Sequence, residues 1–382
     1  MLASHRDLFE VPRDVAYLNN GAFTPLPRSV RAAGEAGVAA KSTPWTMDPE
    51  RTRLEAEAVR AAAAAFIGAT AADIAIVPSA AYGVATAAAN LPVEQGTRIL
   101  LIEGEFPSLA LQWAELAARR GAVLDVVPRP PDGDWSSALL ARIGEPGLPP
   151  VGIAALTPLV WTDGRLIDFQ AVIPVLRAQG AAIVVDATQA AGVLPIDVQR
   201  LGADYLVFPT YKWLLGPYTL AFLYVAPHRQ DGAPLEHYGF NHQSGAEPFA
   251  GQAGPLIPTA RRFDMGQRFN PVSLPMALAG MELLHGWGRA PLAERLGATT
   301  GRLAEAAEAC GLRPVARRFR PPHLLGLHVP DGRASQIVAA LASEGVHVAE
   351  RGGTIRVGAH IYNDDEDVSR FAAVLDRAMK AM

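Results

Sequence analysis

Two ionisable residues stand in apolar surroundings near the middle of the sequence. Asp186 follows the run AAIVV, and Lys212 follows the run DYLVFPT and precedes Trp213 and two leucines. If both runs are neighbouring strands of an open α/β sheet, the two side chains lie together at the carboxyl edge, where such sheets bind ligands. They then form either a simple ion pair or part of a ligand site.

A site for pyridoxal phosphate explains both residues and their order. This cofactor needs a lysine that bonds covalently to its aldehyde, and an acid that keeps its ring nitrogen protonated. Apolar neighbours lower the pKa of a lysine and so supply the neutral amine that attacks the aldehyde. Asp186 would stabilise the protonated ring through a charge-assisted hydrogen bond. The pair therefore predicts this cofactor.

The elements that must position these residues alternate along the chain. Helix-length segments, such as Ser108–Arg120 and Phe169–Gln179, lie between short apolar runs. Runs that are apolar throughout suit strands covered on both faces, and strand–helix alternation is typical of a parallel sheet between helices. The sequence therefore predicts an α/β fold with a mostly parallel, seven-stranded sheet. Its strands are expected in AADIAIVPS, RILLIEGE, AVLDVVPR, GIAALTPL, AAIVVDAT, DYLVFPT and TLAFLYVA.

The pattern changes after residue 228. Residues 228–269 are rich in glycine, proline and aromatic residues, and a loop of this length is usually functional or packs on a partner. The rest predicts a small α+β domain, so we expect a large domain over 31–270 and a small one over 271–382. Its expected helices are Pro275–Trp287, Leu292–Ala309, Ala334–Glu344 and Glu366–Met382, and its expected strands are Leu324–Val329, Val346–Glu350 and Thr354–Gly358.

Composition excludes several functional classes. The 382 residues carry a net charge of -4 and no basic run, which excludes a nucleic-acid partner. No uninterrupted apolar run reaches the ~18 residues that suggest a membrane span. The single cysteine, Cys310, and the absence of a signal-peptide pattern predict a cytoplasmic protein. The histidines lack the spacing of metal ligands and are interpreted as surface or loop residues, so no metal is expected.

Four motifs resemble one enzyme family. They are YLNNGAFTPLP (17–27), DATQAAGVLPIDV (186–198), DYLVFPTYKWLLGP (204–217) and IRVGAHIYNDDED (355–367). Together they are similar to the class V aminotransferases, which are pyridoxal phosphate (PLP) enzymes of fold type I. That family includes cysteine desulfurases, kynureninases and isopenicillin N epimerase-like proteins. The resemblance covers nearly the whole chain and implies a homodimer with composite sites, in which residues 1–30 cross the site and pack with the small domain.

The resemblance implies roles for residues around the cofactor ring and phosphate. Lys212 would bind the aldehyde, Asp186 the ring nitrogen and Gln189 the phenolic oxygen, while Phe106 would stack on the ring. The phosphate would lie at the start of a helix at Ala80 and Ala81, where backbone N–H groups favour anions. The family usually carries threonine there, so Ser79, Thr210 and Tyr211 are expected to compensate.

Further residues are implied for the substrate and for the neighbouring subunit. Arg356 matches the family's arginine that binds the substrate carboxylate, a task that suits the planar guanidinium. Asn20 and Trp161 would contact the substrate. Gln267 would reach the phosphate of the neighbouring subunit, and Arg268 offers a cation to a phosphate or to a second substrate carboxylate.

The resemblance leaves the reaction open. Desulfurases need a nucleophilic cysteine on a loop of the C-terminal domain, but here Gly352 and Gly353 join two strands directly and Cys310 lies elsewhere. Persulfide formation is therefore disfavoured. Transamination of an amino acid or related amine is the first expectation, a C–S or other β-lyase the second and an epimerase the third. The alternative from another class, a catalytically silent cofactor-binding protein, conflicts with the intact set of site residues.

Overall fold

The structure, a computed structural model, describes residues 2–245, 247–248, 250–252 and 254–381. Helices α1 to α11 span, in order, Arg28–Lys41, Pro49–Ala65, Ala80–Asn90, Pro107–Arg120, Trp135–Ile143, Phe169–Ala178, Val198–Leu201, Ser273–Trp287, Arg289–Ala309, Ala334–Ser343 and Asp365–Ala381. Strands β1 to β13 span Ala16–Tyr17, Ile74–Val77, Arg98–Ile102, Val123–Val127, Val151–Leu156, Ala182–Asp186, Tyr205–Pro209, Ala221–Val225, Arg313–Pro314, Leu324–His328, Val346–His347, Ala349–Arg351 and Thr354–Gly358.

The large sheet confirms the prediction from the apolar runs. Its seven strands lie in the order β2-β8-β7-β6-β5-β3-β4. Strand β8 runs antiparallel to both of its neighbours, and the other pairs are parallel. Each of the seven predicted runs forms one strand of this sheet. Most of these strands are buried along their whole length, as expected for a sheet with helices on both faces.

Helix α3 lies close to strand β7, which brings the start of the helix towards Lys212. The helix begins because the Ser79 hydroxyl accepts a hydrogen bond from the N–H of Tyr82 at 3.1 Å. Gly83 permits the close approach, because a Cβ at this position would lie 2.8 Å from the Cγ2 of Val207 on β7. The backbone that opens α3 and the strand that precedes Lys212 are therefore held side by side.

The C-terminal part carries its own sheet, in the order β12-β13-β10-β9, with antiparallel pairing. The N-terminal segment joins it, because β1 pairs in parallel with β11. The single strand predicted over Val346–Glu350 is wrong in one respect. It divides into β11, which pairs with β1, and β12, which pairs with β13, because the two halves bond to different partners.

The packing of α8 bears on the predicted division of the chain. Leu274, Ala277 and Met281 of this helix belong to the apolar core of the large sheet, although the helix follows residue 270. The core of the small domain contains Ala16 and Leu18 of the N-terminal segment, and after α8 its first member is Leu303 of α9. The boundary at 270/271 stays a prediction. Among the described residues, no helix combines the length and the apolar character that crossing a membrane requires.

Candidate active site

A cavity of about 300 Å³ lies at the carboxyl edge of the large sheet. Its floor is formed where β2, β3, β5, β6 and β7 end, so side chains far apart in sequence share one space. It contains both Asp186 and Lys212. The lining residues are Phe23, Pro78, Ser79, Ala80, Ala81, Glu105, Phe106, Ser108, Thr157, Trp161, Asp186, Thr188, Gln189, Pro209, Tyr211, Lys212, Tyr218, Thr219 and Leu220.

Lys212 extends into this cavity between two aromatic rings. Its side chain follows strand β7 and the residue is only 7% exposed. The Nζ atom lies 5.7 Å from the ring centroid of Phe106 and 5.4 Å from that of Tyr211. Burial lowers the pKa of the lysine to about 8, and the charge of Asp186 opposes this effect only in part. The neutral amine is therefore more abundant near neutral pH than in an ordinary, solvent-exposed lysine.

Asp186 ends strand β6 and is buried at the same edge. Its Oδ1 accepts a hydrogen bond from the N–H of Thr188 at 2.9 Å, and within the described parts of the chain Oδ2 has no hydrogen-bond donor. Burial raises the pKa of this carboxyl, whereas the hydrogen bonding at Thr188 and the charge of Lys212 favour its ionised form. The free oxygen can accept a bond from a protonated ring nitrogen.

Phe106 and Trp161 form an aromatic wall over the lysine. Their rings meet edge to face, with centroids 5.3 Å apart. The indole Nε1 of Trp161 donates to the carbonyl of Gly104 at 2.8 Å, which fixes the turn that carries Phe106. Both residues line the cavity. A flat ring between Phe106 and the floor of the cavity would have one face covered by an aromatic side chain.

The start of α3 supplies an anion site of backbone groups. Ala80 and Ala81 line the cavity, and no described residue accepts a hydrogen bond from the N–H of either one. These N–H groups lie at the positive end of the helix. Tyr211 also lines the cavity and stacks on Tyr218 at 4.8 Å between centroids. The residues present therefore fit a phosphate without a threonine.

Arg356 is a buried cation beside this cavity. It lies on β13 and is 2% exposed, and one Nη1–H donates to the carbonyl of Trp161 at 2.7 Å. Among the residues described, no carboxylate pairs with its guanidinium. Burial and the nearby charge of Arg351 lower the pKa of Arg356 to about 10. An unpaired buried guanidinium is costly, and a carboxylate ligand would offset that cost.

Comparison with known proteins places this arrangement in a family. The family model described as aminotransferase class V matches residues 16–248. The chain belongs to the class V aminotransferase family. It is accordingly a PLP-dependent enzyme, an aminotransferase or a lyase, and the predicted family and cofactor are confirmed.

Individual relatives of this class V protein carry different names. It is 28% identical over 331 residues to an uncharacterized aminotransferase of Bacillus subtilis, covering 86% of this chain and 84% of the relative. It is 30% identical to a kynureninase of Deinococcus radiodurans, covering 69% and 64%. The apo structure of a cysteine desulfurase from Thermococcus onnurineus superposes with a TM-score of 0.86 at 20% identity over the full length of both chains. The predicted fold type I is confirmed.

Gln189 of this class V enzyme lines the cavity, but its amide has internal partners. Its Nε2 donates to the carbonyl of Gly21 at 2.9 Å, and its Oε1 accepts from the indole of Trp213 at 2.7 Å. The amide thus ties the N-terminal segment to the lysine loop. One N–H of Nε2 remains available, so a bond to the phenolic oxygen stays a prediction.

Two residues that the sequence predicts to bind cofactor or substrate form hydrogen bonds within the protein instead. Thr210 does not line the cavity, and its hydroxyl shares its proton between the backbone carbonyls of Pro217 at 2.6 Å and Leu220 at 3.0 Å, so it is not placed to bind phosphate. Asn20 is fully buried, with Nδ2 donating to the carbonyl of Gly358 and Oδ1 accepting from Tyr362. It therefore does not face a substrate, contrary to the prediction. The N-terminal segment reaches the cavity through Phe23 instead.

The segment before α8 also differs from expectation in part. Arg268 is buried, and its guanidinium contacts Asp264 at 3.0 Å and the side chain of Asn241 at 3.2 Å, so it offers no free cation. Asp264 in turn pairs with the buried Arg60, which makes this network part of the scaffold. Gln267 is exposed, and its reach towards a neighbouring subunit stays a prediction.

Two of the histidines, and Glu105, have surroundings that the sequence did not indicate. His323 and His360 lie in loops, as predicted, but they are buried beside Trp213, and burial lowers their pKa values to about 4 and about 3. No group of metal-ligating side chains occurs within the described residues. Glu105 lines the cavity one residue before Phe106, a position that the run EGEFPS gave no reason to select.

The pKa of Lys212 yields a test of the site. Covalent capture of PLP, trapped by borohydride, should accelerate as pH rises through about 8, because the neutral amine is the reactive form. Lys212→Ala should trap no cofactor, and Lys41→Ala, at an exposed lysine, should behave like the wild type. A rate that kept rising to the pKa of an ordinary lysine would contradict the buried environment.

Proposed function

We propose that this enzyme transfers the amino group of an α-amino acid or a related amine. The observation that carries the proposal is that Lys212, an amine of lowered pKa, lies with Asp186 in one apolar cavity. Bound PLP supplies an electron sink for negative charge at the substrate's α-carbon. Asp186 would hold the ring nitrogen, Ala80 and Ala81 the phosphate, and Phe106 the ring face.

Lys212 would do the acid–base work of the reaction. An amine with a pKa of about 8 can take a proton from the α-carbon and return it within the working pH range. Phe23, Trp161 and Tyr218 surround the mouth with apolar surface, which favours a substrate with an apolar side chain. Amino transfer needs only such a proton carrier, and the name of the Bacillus subtilis relative is consistent with it.

Arg356 would orient the substrate through its carboxylate. The guanidinium is held by the carbonyl of Trp161, a lining residue, and its other N–H groups have no carboxylate partner in the described chain. A two-pronged bond to a carboxylate would set the direction of the substrate's remaining bonds. By binding the substrate's carboxylate, Arg356 would therefore also influence which bond of the substrate breaks.

A persulfide-forming desulfurase is disfavoured by two observations. Strands β12 and β13 are joined by Gly352 and Gly353, both with positive φ, so this connection is a tight hairpin without room for a reactive loop. Cys310 caps the C-terminal end of α9, and burial raises the pKa of its thiol. A thiol of this kind is a poor nucleophile.

We also propose that the enzyme is a homodimer. Apolar side chains project from α1, α2 and the turn between them, and Trp45 is 80% exposed while Val38 and Leu54 are about 60% exposed. Exposed apolar surface of this kind marks interfaces. Gln267 would then act at the neighbouring site.

The reaction is tested with amino acids supplied with and without a keto-acid acceptor. We expect amine transfer that depends on the acceptor, abolished in Lys212→Ala and unchanged in Lys41→Ala. Release of ammonia, pyruvate or sulfide without an acceptor would show a lyase instead. Racemised substrate with neither product would show an epimerase.

The carboxylate role is tested with Arg356→Gln. Loss of a charged hydrogen bond costs about 1.5–3 kcal/mol, so kcat/KM for an α-amino acid should fall about 10- to 100-fold. The decarboxylated amine should lose little. Arg351→Gln, which makes the same charge change on the same hairpin, should leave the preference between the two substrates intact. An equal loss for both substrates would refute the role.

The dimer is tested by light scattering coupled to size exclusion. We expect twice the mass of the 40.5 kDa chain. Trp45→Asp should increase the monomer fraction, because it places a charge in the apolar surface. A monomeric wild type would refute the homodimer.

A further inference from the structure

A second carboxyl lies at the same sheet edge as Asp186. Strands β6, β5 and β3 are neighbours in the sheet. Asp186 ends β6, Thr157 follows β5, and Glu105 lies three residues beyond β3, and all three line the cavity. The fold thus brings two acids from different strands into one apolar space.

The Glu105 carboxyl is held in place but only half satisfied. Its Oε1 accepts the N–H of Phe106 at 2.7 Å, whereas Oε2 is buried and has no hydrogen-bond partner among the described residues. The turn that carries it is fixed, because the carbonyl of Gly104 accepts a bond from Trp161 and Gly104 has a φ of 74°. A charged oxygen without a donor is costly in such a position.

The two acids differ in their access to positive charge. Asp186 is attracted by Lys212 and accepts the N–H of Thr188. Glu105 receives no such attraction, and the charge that acts on it is that of Asp186; this repulsion adds to burial, which is the larger cause, and raises the pKa of Glu105 to about 8. The titratable groups that line the cavity with Glu105 are Asp186, Lys212, Tyr211 and Tyr218.

We propose that Glu105 is a positioning residue for Asp186: a carboxylic acid that keeps its proton at neutral pH, so that Asp186 alone carries negative charge at the strand ends. The consequence for catalysis rests on the proposed function. With Glu105 neutral, the ring nitrogen of the cofactor faces one carboxylate. When Glu105 ionises in alkaline solution, a second negative charge enters the cavity and changes the electrostatics of the bound ring.

The protonation state of Glu105 is tested by infrared spectroscopy on the PLP-loaded enzyme. The wild type should show a protonated-carboxyl carbonyl band at neutral pH that disappears as pH rises through about 8. Carbon-13 labelling of glutamate, but not of aspartate, should shift the band. This labelling needs no variant, so it decides the question even if a substitution impairs folding. A band that shifts only with labelled aspartate, or no band at all, would overturn the proposal.

Two variants test whether the proton on Glu105 affects the electrostatics at Asp186. The band should be lost in Glu105→Gln and kept in Asp186→Asn. The absorbance of bound PLP should change through about pH 8 in the wild type and stay constant there in Glu105→Gln, which is neutral at every pH. An identical absorbance titration in both proteins would overturn the link to Asp186. Neither readout depends on which reaction the enzyme catalyses, so failure of the proposed transamination would be seen separately.

Discussion

Burial of ionisable groups at one edge of the large sheet sets the charge that each residue of the active site carries. Lys212 and Asp186 are buried there, the Oε2 atom of Glu105 is enclosed in the same cavity, and Arg356 is buried beside it on β13. Burial is the largest cause of the pKa shift of each of these four groups. Burial favours the neutral amine of Lys212 and the neutral acid of Glu105. Asp186 and Arg356 are the groups that have a chemical reason to stay charged, because in the proposed function each would face an oppositely charged part of a ligand.

The cavity can remain apolar because other polar groups hold its walls. Gln189 joins the N-terminal segment to Trp213, and Asn20 joins that segment to Gly358 of β13. These residues match family motifs but have structural partners here. Their bonds bring three parts of the chain together around the site: the N-terminal segment, the lysine loop and the small domain.

The arrangement at the edge of the large sheet explains why relatives with different names share this architecture. Lys212, Asp186 and the start of α3 would perform steps common to PLP enzymes, and they lie on the rigid sheet edge. The residues that would distinguish reactions lie in the mouth, at Phe23 and Tyr218, and on the hairpin that follows β12. A short glycine hairpin and an aromatic mouth favour chemistry driven by proton movement over attack by a thiol.

The sequence by itself determined the elements and the principal pair. Short unbroken apolar runs that alternate with helix-length segments are typical of covered strands, so the seven strands and the positions of Asp186 and Lys212 at or just beyond their ends followed from local pattern. The tertiary structure decided what each nearby polar group bonds to. In the sequence, Thr210, Asn20 and Arg268 match residues that bind a ligand. In the structure, their polar groups form hydrogen bonds or ion pairs with other parts of the chain. Glu105 acquires its environment only when β3 and β6 come within one strand of each other, and burial of that kind leaves no local signal in sequence.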